Sequence, residues 1–336
     1  MSGALRIGIA GIGTVGAGAL AILRDHAPMI EARAGQRLEV VAVSMRDPNK
    51  PRSVDLSGLK LVPHPEALAD EPLDVVVELM GGHEGAAHQL VTRALTRGKH
   101  VVSANKALIA HHGMTLAALA ETHDRVLAFE AAVAGGIPII AAIRSGLAAN
   151  RLTRVAGILN GTCNYILIKM LEADADFAEV LAEAGKLGYL EADPALDIDG
   201  IDAGHKVSIL AALAFGTVPD FAGVKLGGIR EVTLRDMHYA RDFGYRIKLL
   251  GIAERRDEAL LQRVEPCLVP VSSPLASVDG AYNAVEVEGD AVGRVVFEGR
   301  GAGAGPTGSA VVADLIAIAR GDRYPPFTLP TGQLAR

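Results

Sequence analysis

Apolar and polar positions alternate between two kinds of stretch over about the first 150 residues. Short apolar runs are typical of strands buried on both faces, and they occur at LRIGIA (5–10), LEVVAVS (38–44), DVVVELM (74–80), KHVVSAN (99–105) and RVLAFEAA (125–132). The segments between them, such as EGAAHQLVTRALTRG, have the spacing of helices. This alternation predicts an α/β domain with a parallel sheet covered by helices on both faces.

The pattern changes after about residue 150. TRVAGILNG predicts a strand, and three helical stretches follow it: NYILIKMLEAD, DFAEVLAEAGKLG and DAGHKVSILAALAF. Four strands come next, at RIKLLGIAE, LLQRVEPCLVPV, NAVEVEG and GRVVFEG. The sequence therefore predicts a first domain over 1–150, an α+β domain over 151–304, and a C-terminal helix over 305–336 that returns to the first domain.

Composition narrows the class of protein. Hydrophobic residues make up 50% and charged residues 21% of the 336 residues, which is typical of a globular protein. The net charge of −6 argues against nucleic acid or an anionic membrane as the main partner. Two cysteines, no signal-peptide pattern and apolar runs of about half a membrane span indicate a cytoplasmic protein without a membrane partner.

GIGTVG supplies three glycines in G-x-G-x-x-G spacing directly after the first strand. In a Rossmann-type domain the first glycine permits the turn, the second lets a pyrophosphate approach, and the third lets helix and strand pack. The phosphate then lies at the positive end of a helix. The predicted nucleotide-binding residues of this loop are Gly11, Ile12, Gly13, Thr14, Val15 and Gly16.

VAVSMRDPNKPR follows the second strand, where an NAD enzyme usually has an acidic residue for the ribose. Ser44, Arg46, Lys50 and Arg52 stand there instead, and they suit a 2′-phosphate. The segment favours NADP, with Arg46 as a contact, although Asp47 leaves NAD open.

EADPALDIDGIDAGHK (191–206) contains five carboxylates and ends in His205 and Lys206. A calcium loop is excluded, because Lys206 would stand where such a loop needs its bidentate glutamate. DAGHKVSILAALAF predicts a helix on which Asp202 and Lys206 are four residues apart and share the face of Ile209 and Leu210. A partly buried acid–lysine pair indicates a polar site for a substrate with an amine and a carbonyl group, whose oxygen Lys206 can protonate.

Two other features suggest different chemistry. Cys163 lies in NGTCNYI at a strand-to-helix turn, where a lowered thiol pKa would suit an aldehyde dehydrogenase, although a small buried residue is the simpler interpretation. His83 and His88 in HEGAAH do not share a helix face, so they do not predict a zinc site. His111 and His112 are expected in a loop near a helix start.

Seven segments together, in order, resemble the homoserine dehydrogenase family and cover nearly the whole chain. They are GIGTVG, ELMGG (78–82), SANKALI (103–109), EAAVAGGIP (130–138), GILNGTCNYIL (157–167), GYLEADPALDIDGIDAGHK (188–206) and GRGAGAGPTGSAVVADL (299–315). The resemblance implies reversible NAD(P)H-dependent reduction of L-aspartate 4-semialdehyde to L-homoserine, on the route to threonine, methionine and isoleucine.

The resemblance also implies roles for single residues. Lys206 is the expected proton donor with Asp202 as its partner, and Lys106 is expected at the junction of substrate and nicotinamide, in catalysis and in cofactor contact. The expected substrate-binding carboxylates are Glu191 and Asp197. The further cofactor residues implied are Gly188 and Gly303.

EAAVAGGIP resembles the family's monovalent-cation loop. The implied sodium ligands are the carboxylate or carbonyl of Glu130 and the carbonyls of Val133, Gly135 and Ile137. The family forms homodimers through its second domain, with tetramers also open. The sequence ends at Arg336, before the ACT-type regulatory domain of many bacterial relatives, so threonine feedback through such a domain is not expected. A related oxidoreductase with another amino-acid substrate, or a non-catalytic NAD(P) sensor, stays as an alternative function.

Overall fold

The computed structural model describes residues 3–47, 50–190, 193–257 and 259–335. The chain folds into two units, each with its own sheet. The first unit comprises Met1–Ala141, Gly216–Pro219 and Ala302–Arg336. The second unit comprises Ala142–Phe215 and Asp220–Gly301.

The strands, in chain order, are β1 (Leu5–Ala10), β2 (Leu38–Ser44), β3 (Lys60–Val62), β4 (Val75–Glu78), β5 (His100–Ser103), β6 (Leu127–Ala128), β7 (Leu152–Ile158), β8 (Lys225–Leu226), β9 (Tyr245–Arg256), β10 (Ala259–Pro270), β11 (Tyr282–Gly289) and β12 (Gly293–Arg300). The α-helices are α1 (Thr14–Asp25), α2 (Ala27–Ala34), α3 (Ala86–Thr96), α4 (Lys106–Thr122), α5 (Ile139–Ala141), α6 (Gly161–Ala173), α7 (Phe177–Lys186), α8 (Ala195–Ile198), α9 (Ile201–Phe215), α10 (Leu234–Asp242) and α11 (Ala304–Arg320).

The first unit contains a six-stranded sheet in the order β3-β2-β1-β4-β5-β6, and every neighbouring pair is parallel. This is the strand order of a dinucleotide-binding fold, so the predicted parallel sheet is confirmed. Strand β6 is shorter than predicted, because the chain turns into a 3-10 helix at Glu130–Ala132. Helices α1 and α11 pack closely: a Cβ on Gly308 would lie 2.8 Å from the Ala19 amide nitrogen.

The second unit contains a six-stranded sheet in the order β12-β11-β7-β9-β10-β8. The long strands pair antiparallel, and β8 is parallel to β10. Helix α9 packs on β7, β9 and β10, and every residue from Asp202 to Leu213 on it is buried. A helix that is buried on all sides is normally apolar on every face. Helix α9 differs chiefly in its first turns, which contain Asp202, His205 and Lys206.

None of the helices among the described residues is both long and apolar enough to cross a lipid bilayer.

Candidate active site

The first unit has a cavity of about 960 Å³ at the carboxyl ends of its strands. Gly11, Ile12, Gly13 and Thr14 line it from the loop after β1, and Arg46 lines it from the loop after β2. In open parallel sheets ligands bind at this edge, where the strand order reverses. The structure therefore brings five of the predicted nucleotide-binding residues together around one cavity.

The three loop glycines differ in the space around them. Gly11 has a φ of 96°, and a Cβ there would lie 2.7 Å from the Leu79 carbonyl oxygen. A Cβ on Gly16 would overlap the Gly11 carbonyl oxygen, whereas a Cβ on Gly13 would meet nothing within 4 Å. Gly13 is also the N-cap of α1, and it has no side chain to accept the first amide hydrogens. The first turn of α1 therefore retains N–H donors for an anionic ligand.

The rim of the cavity beside β2 is basic. Arg46, Lys50, Arg52 and His64 line it, together with one acidic residue, Asp47. The guanidinium of Arg52 donates to the backbone carbonyls of Lys50 (2.6 Å) and Asp47 (2.8 Å). Ser44 is 1% exposed, and its Oγ has no hydrogen-bond partner among the described residues. A buried hydroxyl without a partner at the end of β2 fits the ribose of a bound nucleotide.

The second unit contains the predicted acid–lysine pair at the start of α9. Lys206 Nζ donates to Asp202 Oδ2 at 2.7 Å and to the Leu159 carbonyl oxygen at 2.7 Å. The two side chains are only 11% and 5% exposed. The prediction that this pair points into packed structure is confirmed. Removing one partner of a buried ion pair typically lowers the free energy of unfolding by about 3–5 kcal/mol, because the other charge is left buried without compensation.

Asn160 connects this pair to a second buried carboxylate. Its Nδ2 donates to Asp202 Oδ2 (3.0 Å) and to Asp197 Oδ1 (2.8 Å). Its Oδ1 accepts from the Cys163 amide at 2.8 Å, so the same side chain caps α6. Asp197, on α8, is 3% exposed. The structure thus holds Lys206, Asp202 and Asp197 in one buried network.

The other carboxylates of the 191–206 stretch have different surroundings. Asp193 accepts from the Ala195 amide at 3.0 Å and shapes the turn before α8. Asp199 is paired with Arg230, whose Nη2 donates to it at 3.0 Å, and this hydrogen bonding lowers the pKa of Asp199. Glu191, a predicted substrate ligand, lies outside the described residues.

The remaining predicted cofactor residues do not line the cavity in the described part of the chain: Val15, Gly16, Lys106, Gly188 and Gly303. Lys106 is half-buried and begins α4. Gly188 follows α7 with a φ of 75°. Gly303 caps α11 with a φ of 122°, and the Ala304 carbonyl after it packs against Gly18 of α1.

The predicted cation loop lies in the first unit. Ala134 and Gly135 have φ values of 55° and 54°, so two successive residues are left-handed. The Glu130 carboxylate accepts from the amides of Ile140 (2.9 Å) and Ala141 (2.7 Å), and the Glu130 amide donates to Asp314 at 2.9 Å. Both carboxylate oxygens of Glu130 thus accept backbone hydrogen bonds.

Two family models match the chain, and together they cover most of it. "Homoserine dehydrogenase, NAD binding domain" matches residues 11–130, and "Homoserine dehydrogenase" matches residues 138–316. The chain belongs to the homoserine dehydrogenase family. It is thus an NAD(P)-dependent oxidoreductase acting on a CH–OH group.

Relatives support the family assignment over most of the chain. A homoserine dehydrogenase from Neisseria gonorrhoeae is 50% identical over 316 residues, which are 94% of this chain and 72% of the relative. The crystal structure of a homoserine dehydrogenase from Thiobacillus denitrificans superposes with a TM-score of 0.96 at 48% identity, covering 100% of this chain and 79% of that one. A hyperthermophilic archaeal homoserine dehydrogenase in complex with NADPH has a TM-score of 0.77 at 27% identity, over 93% and 97% of the two chains.

The thiol interpretation of Cys163 does not fit this homoserine dehydrogenase. Cys163 is fully buried, and its Sγ donates to the Asp197 carbonyl oxygen at 3.3 Å. Burial, with Asp197 and Asp202 nearby, raises the pKa of the Cys163 thiol well above its usual value. The residue is a small buried side chain at a helix start, because a neutral, inaccessible thiol is a poor nucleophile.

The histidines predicted to be in a loop are in fact on a helix. His111 and His112 belong to α4, because the helix begins at Lys106 instead of after them. The ring of His111 stacks on His83 at 4.1 Å, and that of His112 stacks on His88 at 4.3 Å. Stacked rings do not converge on one point, and no group of three or more His, Cys, Asp or Glu in the described ranges could hold a metal ion.

Asn160 is the member of the buried network that sequence reasoning missed. The available signal was local: an asparagine directly before a helix is a preferred N-cap. Its two contacts to Asp197 and Asp202 join residues 37 and 42 positions apart, which no local pattern reveals.

Proposed function

We propose that this homoserine dehydrogenase uses Lys206 to exchange a proton with the hydroxyl oxygen of L-homoserine, and that NADP is its preferred nucleotide. The observation that carries the first part is the buried Lys206–Asp202 pair, held from the other side by the Leu159 carbonyl. Two of the three ammonium N–H bonds have these acceptors. We assign the third to a substrate oxygen.

The reaction divides between the nucleotide and the chain. The bound nicotinamide nucleotide supplies or accepts the hydride. In the direction of reduction, negative charge develops on the aldehyde oxygen of L-aspartate 4-semialdehyde as it becomes the alkoxide of homoserine. Lys206 stabilises that charge and delivers a proton to it. Asp202 keeps the ammonium in place and offsets its burial. We assign Lys106 as a second positive group for the same oxygen.

Substrate orientation is the proposed role of Glu191 and Asp197. Each would accept hydrogen bonds from the substrate ammonium, and Asp197 is already fixed by Asn160. A fixed substrate converts a bimolecular encounter into a reaction of correctly placed groups, which lowers the barrier.

The preference for NADP is supported by the basic rim of the cavity. Arg46 and Lys50 line it together with a single acidic residue of the same loop, Asp47, and Arg52 donates to the backbone of that loop. A guanidinium binds phosphate well because its N–H groups match the phosphate oxygens. We assign Gly188 and Gly303 as further cofactor contacts.

A monovalent cation, sodium, fits the loop that follows β6. We assign the carbonyls of Glu130, Val133, Gly135 and Ile137 as its ligands. The Glu130 carbonyl also accepts from the Val133 amide (3.4 Å), and the Ile137 carbonyl accepts from the Ile139 amide (2.8 Å). A carbonyl oxygen has two lone pairs, so one backbone hydrogen bond does not prevent it from binding a cation.

The same family membership supports the wider setting of the enzyme. We infer a cytoplasmic homodimer that associates through its second unit and supplies homoserine for the synthesis of threonine, methionine and isoleucine.

The proton-exchange role is tested by a spectrophotometric assay of homoserine oxidation with Lys206→Ala. We expect kcat to fall between about 100-fold and about 10,000-fold, which is the usual contribution of a general acid–base group. Lys225→Ala is the matched control, because Lys225 is an exposed lysine of the same unit. Near-wild-type turnover by Lys206→Ala would show that another group moves the proton.

The nucleotide preference is tested in the same assay with NADP and with NAD. We expect Arg46→Ala to weaken NADP binding by about tenfold, or about 1.4 kcal/mol, with little change for NAD. Equal losses for both nucleotides would contradict a 2′-phosphate contact.

A further inference from the structure

A ring of hydrogen bonds joins the end of β4, the loop that follows it and the start of α4 in the first unit. Glu78 Oε1 accepts from the Met80 amide at 2.8 Å, and Oε2 accepts from Ser103 Oγ at 2.6 Å. Ser103 Oγ in turn accepts from the Asn105 amide at 3.1 Å. Asn105 Nδ2 donates to the Gly82 carbonyl oxygen at 2.6 Å, which closes the set. We call this set the Glu78 ring.

The carboxyl group of Glu78 is costly to bury. Glu78 is 0% exposed, and burial raises its pKa to about 7 although the bonds from Ser103, Met80 and Asn105 lower it. An apolar side chain would fill the end of a buried strand at lower cost, because burying a polar group without full compensation is unfavourable. The carboxyl group is therefore best explained by the geometry that it imposes on its partners.

One side of the Glu78 ring is the loop 79–82. The Leu79 amide donates to the Ala10 carbonyl at 2.9 Å, and the Leu79 carbonyl lies against Gly11. Met80 and Gly81 line the cavity that the glycine loop also lines. The ring thus supports the wall of the cavity from below.

The other side of the ring is the start of α4. Asn105 is the N-cap of this helix, and its Oδ1 accepts from the Leu108 amide at 3.0 Å. Lys106 is the next residue, so its backbone position follows from that of Asn105. One buried carboxyl group thus fixes both a cavity wall and the residue before Lys106.

We propose that Glu78 is a positioning residue for the reaction: through Ser103 and Asn105 it holds the backbone of Lys106 in a fixed relation to the loop 79–82, which forms part of the cavity wall. This inference rests on the proposed role of Lys106. A displacement of about 1 Å of a reacting group can cost about 100-fold in rate, so a residue that only positions can still determine kcat.

The test compares Glu78→Gln, Glu78→Ala and Ser103→Ala in kcat, KM for homoserine and Kd for NADPH. We expect Glu78→Ala to lose about 100-fold in kcat and Ser103→Ala about tenfold, with KM for homoserine within about twofold of wild type. Glu78→Gln keeps the shape and an acceptor for the Met80 amide. It should recover about tenfold of the loss seen in Glu78→Ala.

Glu121→Gln is the matched control. Glu121 is a partly buried glutamate of the same helix α4 that joins it to another segment, since it accepts from the Thr331 hydroxyl at 2.6 Å. It lies at the other end of the helix, so kcat should stay within about twofold of wild type.

Wild-type kcat in folded Ser103→Ala and Glu78→Gln, with Lys106→Ala strongly impaired, would overturn the proposal while leaving the role of Lys106 intact. If Glu78→Gln does not fold, Ser103→Ala decides alone, because it deletes only one hydroxyl group. Wild-type kcat in Lys106→Ala would instead remove the role of Lys106 on which the proposal rests.

Discussion

The glycine loop of the first unit and the 193–206 stretch of the second unit are built in opposite ways. The loop works through missing side chains: Gly11 and Gly16 have no room for a Cβ, and Gly13 leaves open space above a helix start. The 193–206 stretch works through side chains that are present and buried, chiefly Asp202 and Lys206. The glycine loop can therefore be recognised from the spacing of its residues along the chain, whereas the 193–206 stretch depends on how deeply the fold buries its side chains.

The prediction with the largest expected effect asks whether Asp202 can hold the Lys206 ammonium because it is buried. Asp202→Asn removes the charge that holds Lys206 and changes the contact to Asn160, so kcat should fall on the order of 100-fold. Asp199→Asn is the matched change in the same stretch. Its partner Arg230 is exposed, and surface ion pairs contribute about 0–1 kcal/mol, so its kcat should stay within about twofold of wild type. Equal kcat values for the two variants would show that burial does not separate their roles.

The next prediction separates the glycines of the loop. Gly16→Ala should lower the free energy of unfolding by about 1–3 kcal/mol, because its Cβ overlaps the Gly11 carbonyl. Gly13→Ala should leave stability unchanged, because a Cβ there meets nothing within 4 Å. Chemical denaturation of both variants measures the difference. A stability loss in Gly13→Ala as large as in Gly16→Ala would contradict the distinction.

A third, smaller effect concerns pH and extends the comparison to a buried side chain of the first unit. Glu78 has its pKa raised from 4.5 to about 7 in the folded protein. The folded state therefore binds this proton more tightly than the unfolded state does. The resulting contribution to the free energy of unfolding is complete below pH 4.5 and is lost as the pH rises through about 7. Between pH 5 and pH 7 the wild type should lose about 2 kcal/mol relative to Glu78→Gln. Parallel stability curves for the two proteins would show that Glu78 does not titrate in this range.

The fold followed from the sequence where elements are long and regular. Strands such as β1 and β4 are continuous apolar runs, and the parallel sheet follows from their alternation with helices. Short edge strands were not predicted: β3 has three residues and β8 has two, which is too few for a period to show. Helix α10 was also missed, although its capping box of Thr233 and Asp236 is a local signal that could have revealed it.

The site followed from the sequence only as far as local spacing reaches. Asp202 and Lys206 are one helical turn apart, so their pairing was predictable. The contacts of Asn160 and of the Glu78 ring join elements that are distant in sequence, and only the folded chain brings them together. The cation ligands that we propose are carbonyl groups, which leave no side-chain pattern to recognise.

The central claim is that backbone groups of the glycine loop bind the nucleotide and Lys206 carries out the proton exchange. The most direct measurement is a paired determination of NADPH Kd, by fluorescence titration, and of kcat with homoserine at saturating nucleotide for Gly13→Ala and Lys206→Ala. We predict that Gly13→Ala weakens NADPH binding by about tenfold or more and that Lys206→Ala leaves Kd within about twofold while kcat falls by at least about 100-fold. A Lys206→Ala enzyme that keeps wild-type kcat, or that loses NADPH binding as Gly13→Ala does, would contradict this division.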